Sequence, residues 1–301
     1  MFNVLSLFDG IGAGLLALKR AGFKVNNYYA SEVDPSAMTV ALFNHPEIQH
    51  IGDVEKVSGY DFPNIDLLIG GSPCTNLSSM GNRKGLEGDE SRLFYEYLRI
   101  LKECKPKYFL LENVASMAQS ERDIITALLE VQPIFINSAL VSAQTRKRLY
   151  WTNIPNVQPP IDKNISFTDI LEGGFTNQNK SHALLTNKLP LTESGLARFC
   201  FKSTGQLIFK EKYFAELDKQ TKVDRFSNMS KLGLTKPCFD TRYRNGVFRN
   251  ITITEAEALQ TLPRDYTAGI SMCNRFKAVG NSFTTDIIAH ILKQIPNDTQ
   301  R

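Results

Sequence analysis

Short apolar runs alternate with helix-period segments through the first 150 residues or so, and this alternation limits the possible folds more than any other feature of the chain. Asn3–Leu7, Tyr28–Ser31, Asp66–Ile69 and Tyr108–Leu111 read as buried strands, with Ile134–Val141 and Leu149–Thr152 as two more. Helices are expected from about Gly14 to Ala21 and from Pro35, whose fixed φ suits a first helical position. Leu93, Phe94, Tyr97, Leu98 and Leu101 fall on one helical face, and Ile124–Val131 makes a further helix. Such alternation implies an α/β domain built on a largely parallel sheet. The length of 301 residues allows that domain and a smaller second one.

The pattern degrades after Pro155, and Pro159-Pro160 marks a boundary. Residues 162–250 are polar and irregular, yet too rich in Phe and Leu for a disordered tail, so a small separate domain is expected there. They hold 15 Lys and Arg against 9 Asp and Glu, whereas the rest of the chain holds 20 against 22. The whole positive excess therefore sits in one segment, which favours an acidic partner, nucleic acid first. Helical periodicity returns from Thr254, and Ile287, Ile288, Ile291, Leu292 and Ile295 form an apolar stripe that needs a partner surface, most simply the first domain. No apolar run reaches the roughly 18 residues of a membrane span. Phe2–Phe8 is already strand-like without a basic leader, so a cytoplasmic protein is expected. The five cysteines include no C-x-x-C and the four histidines no ligand spacing, so neither a disulfide framework nor a metal is expected.

Four constellations bear on chemistry. Phe8-Asp9-Gly10-Ile11-Gly12-Ala13-Gly14 follows the first strand, where glycines let the backbone turn tightly and approach a ligand. A dinucleotide fingerprint would need its third glycine at position 15, which is Leu15; this counts against NAD and is compatible with a nucleoside cofactor lacking a pyrophosphate. Glu32 ends the second strand, where an acid can bond both ribose hydroxyls, and Asp53 follows a third short strand, where it can accept from an adenine amino group. Gly70-Gly71-Ser72-Pro73-Cys74 ends another strand, the edge at which open α/β sheets bind ligands, and places Cys74 as a nucleophile or a small buried residue. Leu110-Leu111-Glu112-Asn113-Val114 again lies at a strand end; a carboxyl after an apolar run is partly desolvated, which raises its pKa and suits it to donate a proton. In Gln144-Thr145-Arg146-Lys147-Arg148 an extended backbone points Arg146 and Arg148 to one side, an arrangement suited to a phosphate or a base carbonyl.

Together these stretches resemble the DNA cytosine-5 methyltransferases of bacteria, phages and eukaryotes. The matching stretches are Phe-Asp-Gly-x-Gly-x-Gly at 8–14, Ser-Pro-Cys at 72–74, Glu-Asn-Val at 112–114 and Arg-x-Arg at 146–148. Glu255, Leu259-Gln260, Pro263 and Gly280-Asn281-Ser282 complete the family's order, and Arg92-Leu93-Phe94 is similar to the eukaryotic de novo branch. Ala258 departs from the family, many of whose members carry an arginine there that braces the small domain.

The resemblance implies a Rossmann-like, S-adenosylmethionine-dependent α/β domain over 1–161 and 270–301, and a small mixed target-recognition domain over 162–269. It implies Cys74, Glu112, Arg146 and Arg148 as catalytic residues. Phe8, Asp9, Gly10, Ile11, Gly12, Gly14, Glu32, Val33, Asp53, Val54, Pro73, Leu93, Asn281 and Ser282 would bind S-adenosylmethionine, with S-adenosylhomocysteine as product. The implied substrate is cytosine in double-stranded DNA, flipped out of the stack. The glycine-containing stretch Thr75–Arg92, with Met80, Arg83 and Lys84, would close over it. A monomer is expected, away from membranes and of prokaryotic or phage origin, with a separately encoded restriction endonuclease as the companion to look for. No further regulatory or chromatin-reading domain is expected. Two alternatives share the fold. One is a tRNA cytosine-5 methyltransferase, whose Cys-Phe-Thr signature Cys238-Phe239-Asp240-Thr241 narrowly misses; the other is a non-catalytic DNA-binding homologue.

Overall fold

The structure is a computed structural model that describes residues 2–62, 64–72, 93–184, 206–231 (backbone only from 226) and 246–296. Two compact units divide the chain. The first comprises residues 1–137, 147–161 and 283–301; the second comprises 138–146 and 162–282. Residues 270–282, grouped with the first domain in the sequence reading, fall in the second unit.

Among the described residues the first unit is built on a seven-stranded sheet. Its elements in chain order are β1 (Phe2–Leu7), α1 (Ala13–Ala21), β2 (Val25–Ser31), α2 (Pro35–Asn44), β3 (Gln49–Gly52) and β4 (Leu67–Gly70). There follow α3 (Leu93–Cys104), β5 (Tyr108–Val114), α4 (Gln119–Leu129), β6 (Ile134–Asn137) and, beyond β7 (Gln144–Thr145) of the second unit, β8 (Lys147–Thr152). The strand order is β3-β2-β1-β4-β5-β8-β6. The first five are mutually parallel, and β8 runs antiparallel to both β5 and β6. The chain leaves β1 toward β2 and β3 on one side and returns to β4 on the other. The β1–β4 boundary is thus the topological switch point, where such sheets open a crevice beyond their carboxyl ends.

Local chemistry accounts for the helix ends. Gly12 and Gly22 flank α1 with φ of 76° and 91°, left-handed values that favour glycine, and the Phe23 amide donates back to the Leu18 carbonyl. Asp34 caps α2 by accepting from the Ser36 and Ala37 amides, with Pro35 next in the chain. One core joins β1, β4, α3, β5, α4 and β8 through Leu7, Leu68, Phe94, Tyr97, Leu111, Ile125 and Trp151. The terminal apolar stripe belongs to a helix over Thr285–Leu292 that packs on α1, where Arg20 Nη1 donates to Asp286 Oδ1 at 2.9 Å.

Two expectations are corrected. Strand β5 does not stop with its apolar run at Leu111; it continues to Val114, because β8 pairs with it through Glu112↔Tyr150 and Val114↔Arg148. Backbone pairing needs no apolar side chain. The expected strand Ile134–Val141 ends at Asn137, and a 3-10 turn over Ser138–Leu140 follows, closed by the Val141 amide on the Ser138 carbonyl.

In the second unit, β9 (Ile208–Phe209) pairs antiparallel with β10 (Phe248–Arg249) over a small core of Leu207, Phe209, Ala215, Val247 and Phe248. Lys222 is buried beneath it, with Nζ 5.1 Å from the Phe209 ring centre and bonded to the Ala215 carbonyl at 2.6 Å. Among the described residues no helix is long and apolar enough to cross a membrane.

His45, 4% exposed, closes α2 against the start of α1 and takes Lys19 Nζ on Nδ1 at 3.0 Å. Burial, and then the Lys19 charge, lower its pKa to about 4. An unfolded histidine binds a proton near pH 6.5, so between pH 6.5 and about 4 the unfolded state holds the extra proton and stability falls as pH falls. Denaturant melts should show that loss, on the order of 1–3 kcal/mol, and His45→Asn should flatten it. An unchanged slope in that variant would remove His45 as the cause.

Candidate active site

The carboxyl ends of β1, β2, β3, β4 and β5 bring together most of the residues singled out in the first unit. Phe8 leaves β1 with φ of 58°, a conformation uncommon for a residue with a side chain. Two bonds tie the turn to the end of β2: the Asp9 amide donates to the Ser31 carbonyl at 3.1 Å, and the Gly10 amide to Glu32 Oε2 at 2.8 Å. Glu32 Oε1 accepts from the Val33 and Asp34 amides, both at 2.8 Å. The Glu32 carboxylate is thereby held in place by three backbone donors. Ser31 Oγ joins the ends of β2 and β3 through the Gly52 carbonyl at 2.8 Å, and Asp53 follows, half-buried, with Oδ1 capping the turn at the Glu55 amide.

The three loop glycines have different surroundings. Gly10 has φ of 64°, and a side chain there would enter open space. Gly12 has φ of 76° and faces His45 and Ile48 at 3.1 and 3.2 Å from an added Cβ; Gly14 faces the Tyr28 hydroxyl at 2.6 Å. Of these three, Gly10 alone has no described atom within 4 Å of where a Cβ would stand. Ile11 and Val54 point into the interior at 1% and 4% exposure, while Val33 is exposed. Asp9 is buried; Oδ1 accepts from Ser6 Oγ and Tyr28 Oη, both at 2.6 Å, while Oδ2 has no hydrogen-bond partner among the described residues. Burial raises the Asp9 pKa, against the pull of those two donors.

On the other side of the switch point, the register aligns Leu7, Gly70 and Leu111. A Cβ on Gly71 would stand 2.9 Å from the Phe283 ring and 3.4 Å from Glu112 Oε2, so glycine is the residue that admits both. Asn113 is fully buried and donates through Nδ2 to Ser72 Oγ at 3.1 Å, tying the exit of β4 to β5. Glu112, 9% exposed, accepts from Arg148 Nε at 2.8 Å. Glu112 and Arg148 are diagonal neighbours on one face of the β5–β8 ladder, within reach for long side chains.

Among the described residues Arg146 and Arg148 bond to different groups. Arg146, 5% exposed and in the second unit, donates to the Gly280 and Ser282 carbonyls at 3.2 and 3.0 Å. Gln260 Nε2 donates to the Val279 carbonyl at 3.1 Å, and Gln260 Oε1 accepts from Gln144 Nε2 at 3.3 Å. These side chains hold the turn that carries Asn281 and Ser282. Leu93 begins α3, half-buried. Pro73, Cys74, the stretch Thr75–Arg92 and Cys238–Thr241 lie outside the described residues.

Tyr28, Ser6, Phe283 and Gln144 went unassigned in the sequence reading. Tyr28, Phe283 and Gln144 meet residues distant in the chain, and Ser6 lies inside a strand; Gln144 opens the Arg146–Arg148 stretch, whose spacing drew attention to the arginines alone.

Residues 2–297 match the family described as C-5 cytosine-specific DNA methylase. The orphan methyltransferase M.SPRI of Bacillus phage SPR is 30% identical over 254 residues, which cover 76% of this chain and 56% of that protein. The Type II methyltransferase M.NgoPII of Neisseria gonorrhoeae is 40% identical over 117 residues, 38% of this chain and 34% of that protein. The chain thus spans about half the length, or less, of the curated relatives it matches. The solved structure of the Entamoeba histolytica methyltransferase EhMeth shares the fold, with a TM-score of 0.67 at 15% identity over 100% of this chain and 99% of that one. With its motifs in family order, its α/β sheet and a match over nearly its whole length, this chain belongs to the C-5 cytosine-specific DNA methylase family.

Proposed function

We propose that the protein transfers a methyl group from S-adenosylmethionine to carbon 5 of a cytosine flipped out of double-stranded DNA, with Cys74 as the nucleophile. The observation that carries this reading is the tie between Asn113 and Ser72. It joins the strand bearing the Glu112–Arg148 pair to the end of β4, two residues before Cys74.

The first unit fits the cofactor. A buried acceptor at Asp9 Oδ2 without a partner among the described residues, open space at Gly10, and the acids Glu32 and Asp53 at neighbouring strand ends suit a ligand rich in hydroxyl and amino donors. Glu32 would hold the ribose hydroxyls and Asp53 the adenine amino group, with Phe8 and Leu93 as further contacts. Bound S-adenosylmethionine supplies an electrophilic methyl on a sulfonium.

Carbon 5 of cytosine is a poor nucleophile because its ring is electron-poor. A Cys74 thiolate adding to carbon 6 turns carbon 5 into an enamine carbon that can attack a methyl group. Glu112 holds a proton at ring N3 as negative charge grows there. Arg148, already held by Glu112, contacts the base O2. Loss of the carbon 5 proton to a base then expels Cys74 and restores the ring. The basic segment 162–250 reads the DNA, its lysines adding salt-dependent affinity and a few side chains reaching base edges. The protein acts as a monomer, and a restriction endonuclease is the companion to seek.

Cys74→Ala should abolish methyl transfer while retaining cofactor binding. Wild type should form a covalent adduct with a 5-fluorocytosine duplex, visible on denaturing gels; absence of that adduct would refute the mechanism. Asp53→Ala should weaken S-adenosylmethionine binding roughly tenfold or more, as for a lost hydrogen bond of about 1–3 kcal/mol. Asp53→Ser, which can still cap the Glu55 amide, should lose binding without losing stability. Unchanged calorimetric affinity in both would remove Asp53 from the site. Exchanging 162–250 for the same segment of a relative should transfer the methylated sequence, read by sequencing 5-methylcytosine in host DNA. Retention of the original target would place recognition elsewhere.

A further inference from the structure

Gly10 and Gly12 have left-handed backbones, which is reason enough for glycine. Gly14 does not: it lies inside α1 and is not among the positive-φ glycines. With helical backbone angles alanine is favoured over glycine, by up to about 1 kcal/mol in a helix interior. Another constraint must exclude a side chain. A Cβ on Gly14 would meet the Tyr28 hydroxyl at 2.6 Å, and its next neighbours stand at 3.8 Å, an ordinary contact. The excluded volume therefore belongs to one atom, the Tyr28 oxygen.

That oxygen has a defined task. Tyr28 is 1% exposed in β2, and its hydroxyl donates to Asp9 Oδ1 at 2.6 Å. Asp9 is the central residue of the Phe8–Gly10 turn, whose other ties run to Ser31 and Glu32 at the end of the same strand. Three bonds to β2 thus set the turn: one from a side chain inside the strand and two at its end.

We propose that Tyr28 is a positioning residue of the glycine loop, holding Asp9 through its hydroxyl, and that Gly14 is glycine to admit this hydroxyl rather than a ligand. The proposal rests on reading residues 8–14 as the cofactor loop. The raised pKa of Asp9 fits a carboxyl that depends on its few internal donors.

A mutant cycle on the full-length chain tests this, with S-adenosylhomocysteine titrated by calorimetry and melting temperature measured in parallel. Tyr28→Phe keeps the ring and should weaken binding roughly tenfold, the effect of one lost bond to an ionisable group. Gly14→Ala should weaken binding at least as much and lower the melting temperature. The double variant should bind no more weakly than Tyr28→Phe alone and recover the melting temperature, because the clashing atom is gone. If Gly14→Ala does not fold, folding of the double variant supports the contact, and failure of both overturns it. Tyr28→Phe binding like wild type, or Gly14→Ala costing the same factor in either background, overturns the proposal while the cofactor reading stands. A folded wild type that binds no S-adenosylhomocysteine overturns that reading, and the proposal with it.

Discussion

Strand β1 is hydrogen-bonded on both sides, to β2 and to β4, with Leu7 opposite Ser31 on one flank and Gly70 on the other. Parallel pairing makes neighbouring strands end at the same edge. The glycine loop, Glu32 and the Gly71-Ser72 exit therefore emerge side by side although some 60 residues separate the first from the last. A slip by one residue would turn Tyr28 to the other face of the sheet and away from Asp9. Burial of both faces opposes such a slip, since Leu5, Leu7, Leu67 and Leu68 are each fully enclosed.

From that register two kinds of polar anchoring develop. Around the glycine loop, backbone amides converge on the Glu32 carboxylate, which is thereby oriented before any ligand arrives. Around β5, side chains bond to one another: Asn113 to Ser72, and Glu112 to Arg148. Asn113, Ser72 and Glu112 are buried, where an unmade hydrogen bond is costly, so each bond removes freedom from the groups it joins. The second unit follows the same logic with different residues. Arg249 and Glu255 are paired at 2.8 Å with almost no exposure, and Glu255 also completes a capping box with Thr252. Ala258 has no guanidinium to offer, whereas Arg249 and Arg275 bring theirs to Glu255 and Glu257 in the same helix, Ile253–Leu259.

Much of this arrangement was legible in the amino-acid order. Buried parallel strands are short and apolar, so β1, β2, β4 and β5 showed themselves by composition, and Pro35 marked the start of α2 by its fixed φ. Chemically unusual residues at strand ends stood out for the same reason, since Glu32, Asp53 and Glu112 interrupt apolar surroundings. The extension of β5 past Leu111 was hidden, because strand pairing is decided by a partner, β8, that lies more than 30 residues on.

What the sequence by itself determined was the set of elements and the family of chemistry, since both follow from local periodicity and from motifs in fixed order. Tertiary structure decided which side chain answers to which. Arg146 and Arg148 are two residues apart and look interchangeable, yet one holds the carbonyls of Gly280 and Ser282 and the other the Glu112 carboxylate. Gly14 reads as one more glycine of a ligand loop until Tyr28 is seen against it. Hydrogen bonds and excluded volume act over a few ångströms in space, and distance along the chain does not report that separation once strands have paired.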